Sequence, residues 1–334
     1  MLSNPSYFIL QWNITSLCEY SCKYCYMRAN FTASAEVNIN KTLKQILEFR
    51  QNFNNFYINI TGGNPLLHPE FEHIINELSK YKINIRVLGN PITEIHQLER
   101  IKRVAKLIDY YQISIDGEYG NIVNRLSNDI EQRWITITNL HKIGIKTCVM
   151  LTLTDDNVDE VIPILENCVQ KGVSMFAFSR VVRGMHNKNI CKNDFLTQNY
   201  QEILNNIFYY LVENDIDIFS FKDSLWSLFL YERGMFNINS SDEILGCGAG
   251  FYTLCLMPNG NIQPCSRLPI IIGNIENDTL LSIWETNPVL LELRNFSNYE
   301  NCLSCELLTA CRGCRAIAYA ESKTLFAKDP ACWL

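Results

Sequence analysis

Residues 18 to 25 read CEYSCKYC and bring three thiols within eight positions, after which no cysteine follows until Cys148. Thiolate sulfur is a common ligand both of zinc and of the iron in iron-sulfur clusters. A structural zinc site closes with four ligands, so zinc held by Cys18, Cys22 and Cys25 needs a distant fourth donor. Three thiolates can instead bind three irons of a [4Fe-4S] cubane and leave the fourth iron open. Eight of the fourteen cysteines lie at 247, 255, 265, 302, 305, 311, 314 and 332, in C-x12-G-x4-C and C-x2-C-x5-C-x2-C spacings. Eight thiolates provide for two further four-ligand clusters, although CxxC pairs also build zinc ribbons. Of these, Cys255 lies in a strand-like run, which leaves it either a ligand or a core thiol. Only Cys148, Cys168 and Cys191 fall between the two cysteine-rich regions.

The elements that must position these thiols are legible in the pattern of apolar residues. Strands are expected at 7–13, 56–61, 83–88, 111–115, 146–153 and 174–180, separated by stretches of helical period. Phe71, Ile74, Ile75 and Leu78 share one helix face, as do Val158, Val161, Ile162, Leu165 and Val169. Alternation of this kind predicts βα units around a parallel sheet, and six units make a partial (β/α)6 TIM barrel, open at one side. The three-cysteine loop follows the first strand and so lies at the C-terminal mouth, where such barrels carry their chemistry. Residues 197–213 and 222–232 read as helices of a bridge, and the texture then changes to Cys, Gly and short strands with a hairpin turn at Asn259-Gly260. The expected division is 1–190 for the barrel, 191–240 for the bridge and 241–334 for the cysteine-rich domain.

Bulk properties narrow the classes. The 334 residues carry a formal charge of -6, and no basic cluster suits nucleic acid. The first Lys or Arg is Lys23, so the start lacks a signal peptide's charged segment, and no apolar run reaches membrane-spanning length. The chain therefore reads as cytoplasmic, with neither nucleic acid nor membrane as a partner, and its thiols are expected to be reduced.

Beyond the cysteines, three strand ends carry candidate binding residues. TGGNP at 61–65 ends the second strand, and Gly62-Gly63 allow backbone to approach a ligand closely. YQISIDG at 111–117 ends the fourth with Ser114 and Asp116, and VNRLS at 123–127 follows with Arg125. Arg180 leaves the sixth strand and is expected to face a nucleoside or the substrate.

CEYSCKYC, with Tyr24 just before its last cysteine, resembles the CxxxCxΦC signature of the radical S-adenosylmethionine (radical SAM) superfamily. TGGNP is similar to that family's GGEP motif, with Asn64 in place of the Glu and Pro65 kept; SIDG and, more loosely, VNRLS also resemble family segments. The C-terminal spacings resemble the SPASM extension, departing only in x2 for x3 at the final pair. The resemblance implies that Cys18, Cys22 and Cys25 hold a catalytic [4Fe-4S] cluster whose open iron is chelated by SAM. It further implies that an electron cleaves SAM to a 5′-deoxyadenosyl radical. Tyr24, Gly62, Gly63, Asn64, Pro65, Ser114, Asp116, Arg125 and Arg180 are then the candidate SAM-site residues. By the same analogy Cys302, Cys305, Cys311 and Cys332 hold one auxiliary cluster, and Cys247, Cys265 and Cys314 another with Cys255 as eighth ligand, making three clusters in all.

Buried iron-sulfur centres accept single electrons, which favours a net oxidation. The family resemblance implies a peptide substrate, with an intramolecular thioether or carbon-carbon crosslink as the expected product. Ser266, where sulfatase-maturating relatives carry Asp, demotes formylglycine formation. The alternatives are a peptide epimerase with Cys191 as hydrogen donor, an enzyme like the anaerobic sulfatase maturases, and a non-enzymatic zinc scaffold. Expected partners are a precursor peptide and an electron donor such as flavodoxin or ferredoxin; with only six residues before the first strand, leader recognition is expected from the barrel and bridge or from a separate leader-recognition protein. An exposed edge strand offers a place for an extended peptide. Phe219, Phe221, Trp226 and Phe229 of the bridge either line such a groove or pack its core.

Overall fold

The computed structural model describes residues 5–22, 24–27, 37–117, 130–183, 195–235 and 246–334. Arg125 and Cys191 lie outside these segments, as do the expected domain boundaries at 190 and 240.

All six expected strands form, as β1 (Tyr7–Thr15), β2 (Asn55–Gly62), β3 (Asn84–Gly89), β4 (Tyr110–Ser114), β5 (Thr147–Leu153) and β6 (Met175–Arg180). Each pairs in parallel with the next. The crossovers contain α1 (Ile39–Arg50), α2 (Phe71–Ser79), α3 (Ile95–Arg103), α4 (Ile130–Lys142) and α5 (Val161–Gln170). Helix α1 starts where Asn38 accepts a hydrogen bond from Lys41 N, the ordinary N-cap geometry.

The strand residues divide by the two-residue period. Phe8, Leu10 and Trp12, like Phe56, Ile58 and Ile60, are fully buried under the helices. Phe8 packs its ring against Phe49, Phe53, Phe56 and Trp284 at centroid distances of 4.5 to 5.7 Å. The alternate positions Gln11, Tyr57, Asn59, Arg86 and Gln112 are only partly buried. A parallel sheet covered on both faces would read as continuously apolar, so this polar inner face marks a barrel lumen that water reaches.

Two additions extend the sheet to ten strands in the order β10-β9-β8-β1-β2-β3-β4-β5-β6-β7. The first, β7 (Phe219–Ser220), joins β6 in parallel after the bridge helix α6 (Tyr200–Glu213). Two residues are too few to show a period, and the sequence pattern did not reveal it. The second is the expected hairpin of β8 (Thr253–Leu256) and β9 (Asn261–Gln263), turning at Gly260 with φ +84° and followed by β10 (Gly273–Asn274). Its first strand lies in parallel against β1, from Ile9 opposite Thr253 to Trp12 opposite Leu256. One sheet therefore runs through barrel, bridge and cysteine-rich segment, and the central strands have no free edge.

Among the described residues each sheet edge is a two-residue strand, so the exposed edge expected for an extended peptide is short. The bridge aromatics resolve toward packing: Phe219, Trp226 and Phe229 are buried, with α7 (Trp226–Glu232) set against β7, and Phe221 at the edge stays partly exposed. The C-terminal segment continues with α8 (Leu280–Thr286), α9 (Pro288–Arg294) and α10 (Arg315–Ser322). Among the described residues no helix is long and apolar enough to cross a membrane.

Candidate active site

The loop bearing Cys18, Cys22 and Cys25 leaves β1 at the C-terminal mouth of the barrel, with Cys18 exposed and the other two half-buried. Its stem is gripped by the turn after β2. Gly63 N donates to Thr15 O at 2.8 Å and Asn64 N to Leu17 O at 2.7 Å. A Cβ on Gly63 would stand 2.0 Å from Leu17 O, and one on Gly62, at φ +140°, 2.2 Å from Thr15 O. The close approach that these glycines permit is therefore to the stem of the cysteine loop.

Three further anchors fix the loop. Tyr24 donates its hydroxyl hydrogen to Asp116 Oδ2, while Asp116 Oδ1 accepts from Thr152 N at 2.7 Å, so the residue before Cys25 is tied to the ends of β4 and β5. Asn90, just past β3, places Nδ2 3.3 Å from Cys18 Sγ. Tyr26, the residue after Cys25, accepts from Gln11 Nε2 at 2.7 Å and donates to Asn13 Oδ1 at 3.3 Å. Burial, together with the neighbouring thiols of Cys255 and Cys25, pushes the Tyr26 hydroxyl well above the usual phenol range, so it stays protonated.

The C-terminal cysteines separate into groups. Cys302, Cys305, Cys311 and Cys332 line one pocket together with Leu225, Leu228, Leu307 and Leu308. Burial pushes the Cys311 thiol up to about 11 and raises those of Cys302 and Cys332 as well. Cys314, at the start of α10, is buried near Arg267, whose positive charge also feels Cys265 and Cys247. The two groups are linked by backbone, since Cys247 N donates to Cys311 O at 3.1 Å. Cys255 is wholly buried in β8, where its Sγ accepts from Asn13 Nδ2 at 3.1 Å and packs with Met27 and Met257.

As donor sets, both regions suit iron-sulfur chemistry. Three thiols at an open mouth leave a coordination position for another ligand, and four thiols around an apolar pocket can close a cluster. Among the described residues no three His, Cys, Asp or Glu side chains draw together tightly enough for a single metal ion.

Comparison with known proteins agrees with these two regions. Residues 12–168 match the model of the radical SAM superfamily, and residues 247–306 match SPASM, an iron-sulfur cluster-binding domain. The chain carries a radical SAM domain followed by a SPASM domain. It is 22% identical to the AdoMet-dependent heme synthase of Nitratidesulfovibrio vulgaris, covering 98% of this chain and 93% of that protein. It is also 22% identical to the mycofactocin maturase MftC of Mycolicibacterium smegmatis, covering 97% and 82%. The crystal structure of Streptococcus suis SuiB bound to its precursor peptide SuiA superposes with a TM-score of 0.75 at 19% identity, covering 100% of this chain and 77% of that one. The fold is thus that of radical SAM/SPASM enzymes, and SAM and iron-sulfur clusters are the cofactors of this class.

Two expected SAM-site residues have their side chains engaged by protein partners. Arg180 is buried in an ion triad: Nε and Nη2 donate to Asp223 at 3.0 and 3.1 Å, and Nη1 and Nη2 donate to Asp329 at 2.8 Å each. Its guanidinium also stacks over Tyr200. A long cation with two buried carboxylates in reach is held by them, and the expected place at the adenosine does not fit this geometry. Asn64 is fully buried as well, capping the short turn Pro65–Leu67 through Leu66 N at 3.2 Å. Ser114 lies on the inner face of β4 and its carbonyl accepts from Arg133 at 2.9 Å.

Sequence reasoning missed several polar residues. Glu19 and Asn90 flank Cys18, Gln97 approaches from α3, and Asp223 and Asp329 neutralise Arg180. In the lumen, Arg86 stacks 4.1 Å above the Tyr57 ring. Lys222 follows β7 with much of its side chain exposed, and the protein packed around its ammonium, with Arg267 and Arg86 near, lowers its pKa to about 8. Only Glu19 offered a sequence signal, as a carboxylate placed between two candidate ligands.

Proposed function

We propose that this chain is a radical SAM/SPASM oxidoreductase that modifies a ribosomally made peptide, forming an intramolecular thioether or carbon-carbon crosslink. The observation that carries this reading is the three-cysteine loop at the barrel mouth, clamped by the ends of β2, β3 and β4, above a lumen with a polar wall. Its likeness in fold to SuiB and in sequence to MftC supports a peptide substrate. In this reading Cys18, Cys22 and Cys25 hold the catalytic [4Fe-4S] cluster and the turn at Gly62–Pro65, with Ser114 and Asp116, seats SAM. Cys302, Cys305, Cys311 and Cys332 hold one auxiliary cluster, and Cys247, Cys255, Cys265 and Cys314 the other. When bound, SAM and these clusters supply a carbon radical that abstracts hydrogen and an acceptor for the electron that an oxidation releases.

The chain's own residues do the rest. Tyr24 and Asp116 fix the orientation of Cys25, and Asn90 fixes Cys18. Asn13 donates to Cys255 Sγ and offsets part of the burial that pushes this thiol well above its ordinary range, so binding iron there must displace the thiol proton. The Arg180 triad fastens the cysteine array to the barrel, because Asp329 also accepts from Cys314 N at 2.7 Å. The precursor is recognised with a separate leader-binding partner, electrons arrive from a flavodoxin or ferredoxin, and the reaction takes place in the cytoplasm.

The relationship to heme synthases favours a second reading, in which the substrate is not a peptide. One experiment addresses both. Anaerobically reconstituted protein, incubated with SAM, reductant and the candidate precursor encoded beside its gene, should yield 5′-deoxyadenosine and a peptide lighter by two hydrogens. Solvent deuterium at Cα without that loss would indicate epimerisation, and an unchanged peptide would favour the second reading. The Cys18→Ala, Cys22→Ala, Cys25→Ala triple variant should make no 5′-deoxyadenosine while keeping roughly two thirds of its iron, at four irons per cluster.

A further inference from the structure

The glycine turn departs from the GGEP pattern at Asn64, and the structure places a carboxylate directly opposite. Asn64 Nδ2 donates to both oxygens of Glu19, at 2.8 and 3.1 Å. Glu19 Oε1 also accepts from Gln97 Nε2 at 2.9 Å, and Oε2 from Asn90 Nδ2 at 2.9 Å. Three primary amides, from the turn after β2, the end of β3 and α3, thus converge on the one carboxylate in CEYSCKYC. Asn64 and Gln97 are buried, whereas Glu19 itself reaches solvent at the mouth.

The arrangement constrains positions 19 and 64 jointly. A glutamate at 64 would bring a second carboxylate within hydrogen-bonding distance of the first, and like charges at that separation repel strongly. An acid at one position therefore favours an amide at the other. The amides hold Glu19 in place without neutralising it, and among the described residues no Lys or Arg forms an ion pair with it. The Glu19 carboxylate is therefore fixed beside Cys18, with Asn90 contacting both residues.

We infer that positions 19 and 64 have exchanged roles, so that Glu19 provides the acidic group of the SAM site, positions Cys18 and faces the ammonium of SAM's amino-acid head. This inference rests on the radical SAM reading. The geometry also explains why Asn64, although part of the glycine motif, is turned inward: its amide completes the Glu19 clamp, and its carbonyl oxygen caps the following turn.

The test uses full-length protein, reconstituted anaerobically, in four forms: wild type, Glu19→Gln, Asn64→Glu, and the exchanged pair Glu19→Asn with Asn64→Glu. Equilibrium binding of SAM and of uncleavable S-adenosylhomocysteine, iron content, and the melting temperature of the apo-protein are measured for each. Glu19→Gln should weaken both ligands roughly tenfold or more, the lower end of what a hydrogen bond to a charged group contributes, with iron content unchanged. Asn64→Glu should lower the apo-protein's melting temperature and the iron held by the loop. The exchanged pair should recover melting temperature and most of the affinity. Binding by Glu19→Gln within about twofold of wild type, or an exchanged pair no better than Asn64→Glu alone, would overturn the inference. Wild-type protein that takes up no iron or binds no SAM would instead overturn the reading beneath it, so the two failures are distinguishable.

Discussion

The two cysteine regions solve different physical problems. At the barrel mouth, Cys18 is exposed and the loop is held from outside, by the glycine turn under its stem and by polar side chains at Glu19 and Tyr24. In the C-terminal array, four cysteines share a pocket with leucines, and burial pushes the thiols of Cys302, Cys311 and Cys332 upward. An open loop suits a site that admits and releases a ligand, provided that clamps replace the rigidity that burial would have given. An apolar pocket suits a centre from which water is kept away, and its order comes from packing. The contrast teaches that one residue type serves opposite ends here, and that the neighbours of each cysteine decide which.

The largest effect should come from separating the regions mechanically. In Asp329, burial favours the neutral acid, but Arg180 and the backbone N–H groups of Cys314 and Ala331 outweigh it and hold the carboxyl below its ordinary range. Replacing Asp329 by Asn removes one partner of a buried ion triad and should cost about 3–5 kcal/mol in denaturant unfolding, with iron lost from the array. Because its folded pKa is depressed, Asp329's contribution is complete above the ordinary carboxylate range and is lost as pH falls through the folded value. The wild-type advantage over the variant should shrink accordingly in acid.

Gly63→Ala attacks the other region. Its Cβ would stand 2.0 Å from backbone at Leu17, with no flexible side chain to yield, so the stem must shift. Deoxyadenosine formation should fall by roughly 100-fold, as a misplacement of about 1 Å can cost, while array iron measured by absorbance persists. Equal loss from both regions would break the comparison.

Tyr24→Phe removes a single clamp and should cost about 1 kcal/mol, seen as a small drop in melting temperature with loop iron retained. The smallest effect is expected at Lys222. Burial and the nearby cations Arg267 and Arg86 lower Lys222 to about 8 from its ordinary 10.5. Between those values the unfolded chain binds more protons than the folded one, so wild-type stability should rise with pH there. Lys222→Met should flatten that rise in melting curves taken from pH 8 to 10.

Much of this was legible in the chain. Short β-branched and aromatic runs located β1 to β6, and through most of β1 to β4 every second side chain is buried under the helices. The hairpin at Asn259-Gly260 was equally plain, since left-handed backbone favours glycine. β7 was not legible, being too short to leave a pattern. Nor was the docking of β8 on β1, since pairing between strands some 240 positions apart leaves no local trace. Arg180 shows the limit most clearly. Its identity suggested an anion to bind, yet its two carboxylates come from 43 and 149 positions away.

By itself, then, the sequence determined the inventory and the spacing: three thiols without a fourth, eight more in a fixed rhythm, and six strands to carry the first group to a barrel mouth. Spacing along a chain limits which donors can reach a common centre, and that constraint survives any fold. The tertiary structure decided the pairings, giving Arg180 to Asp223 and Asp329, Tyr24 to Asp116, and Asn64 to Glu19. Such choices depend on which long-range neighbours arrive within hydrogen-bonding distance, and only the folded chain sets those distances.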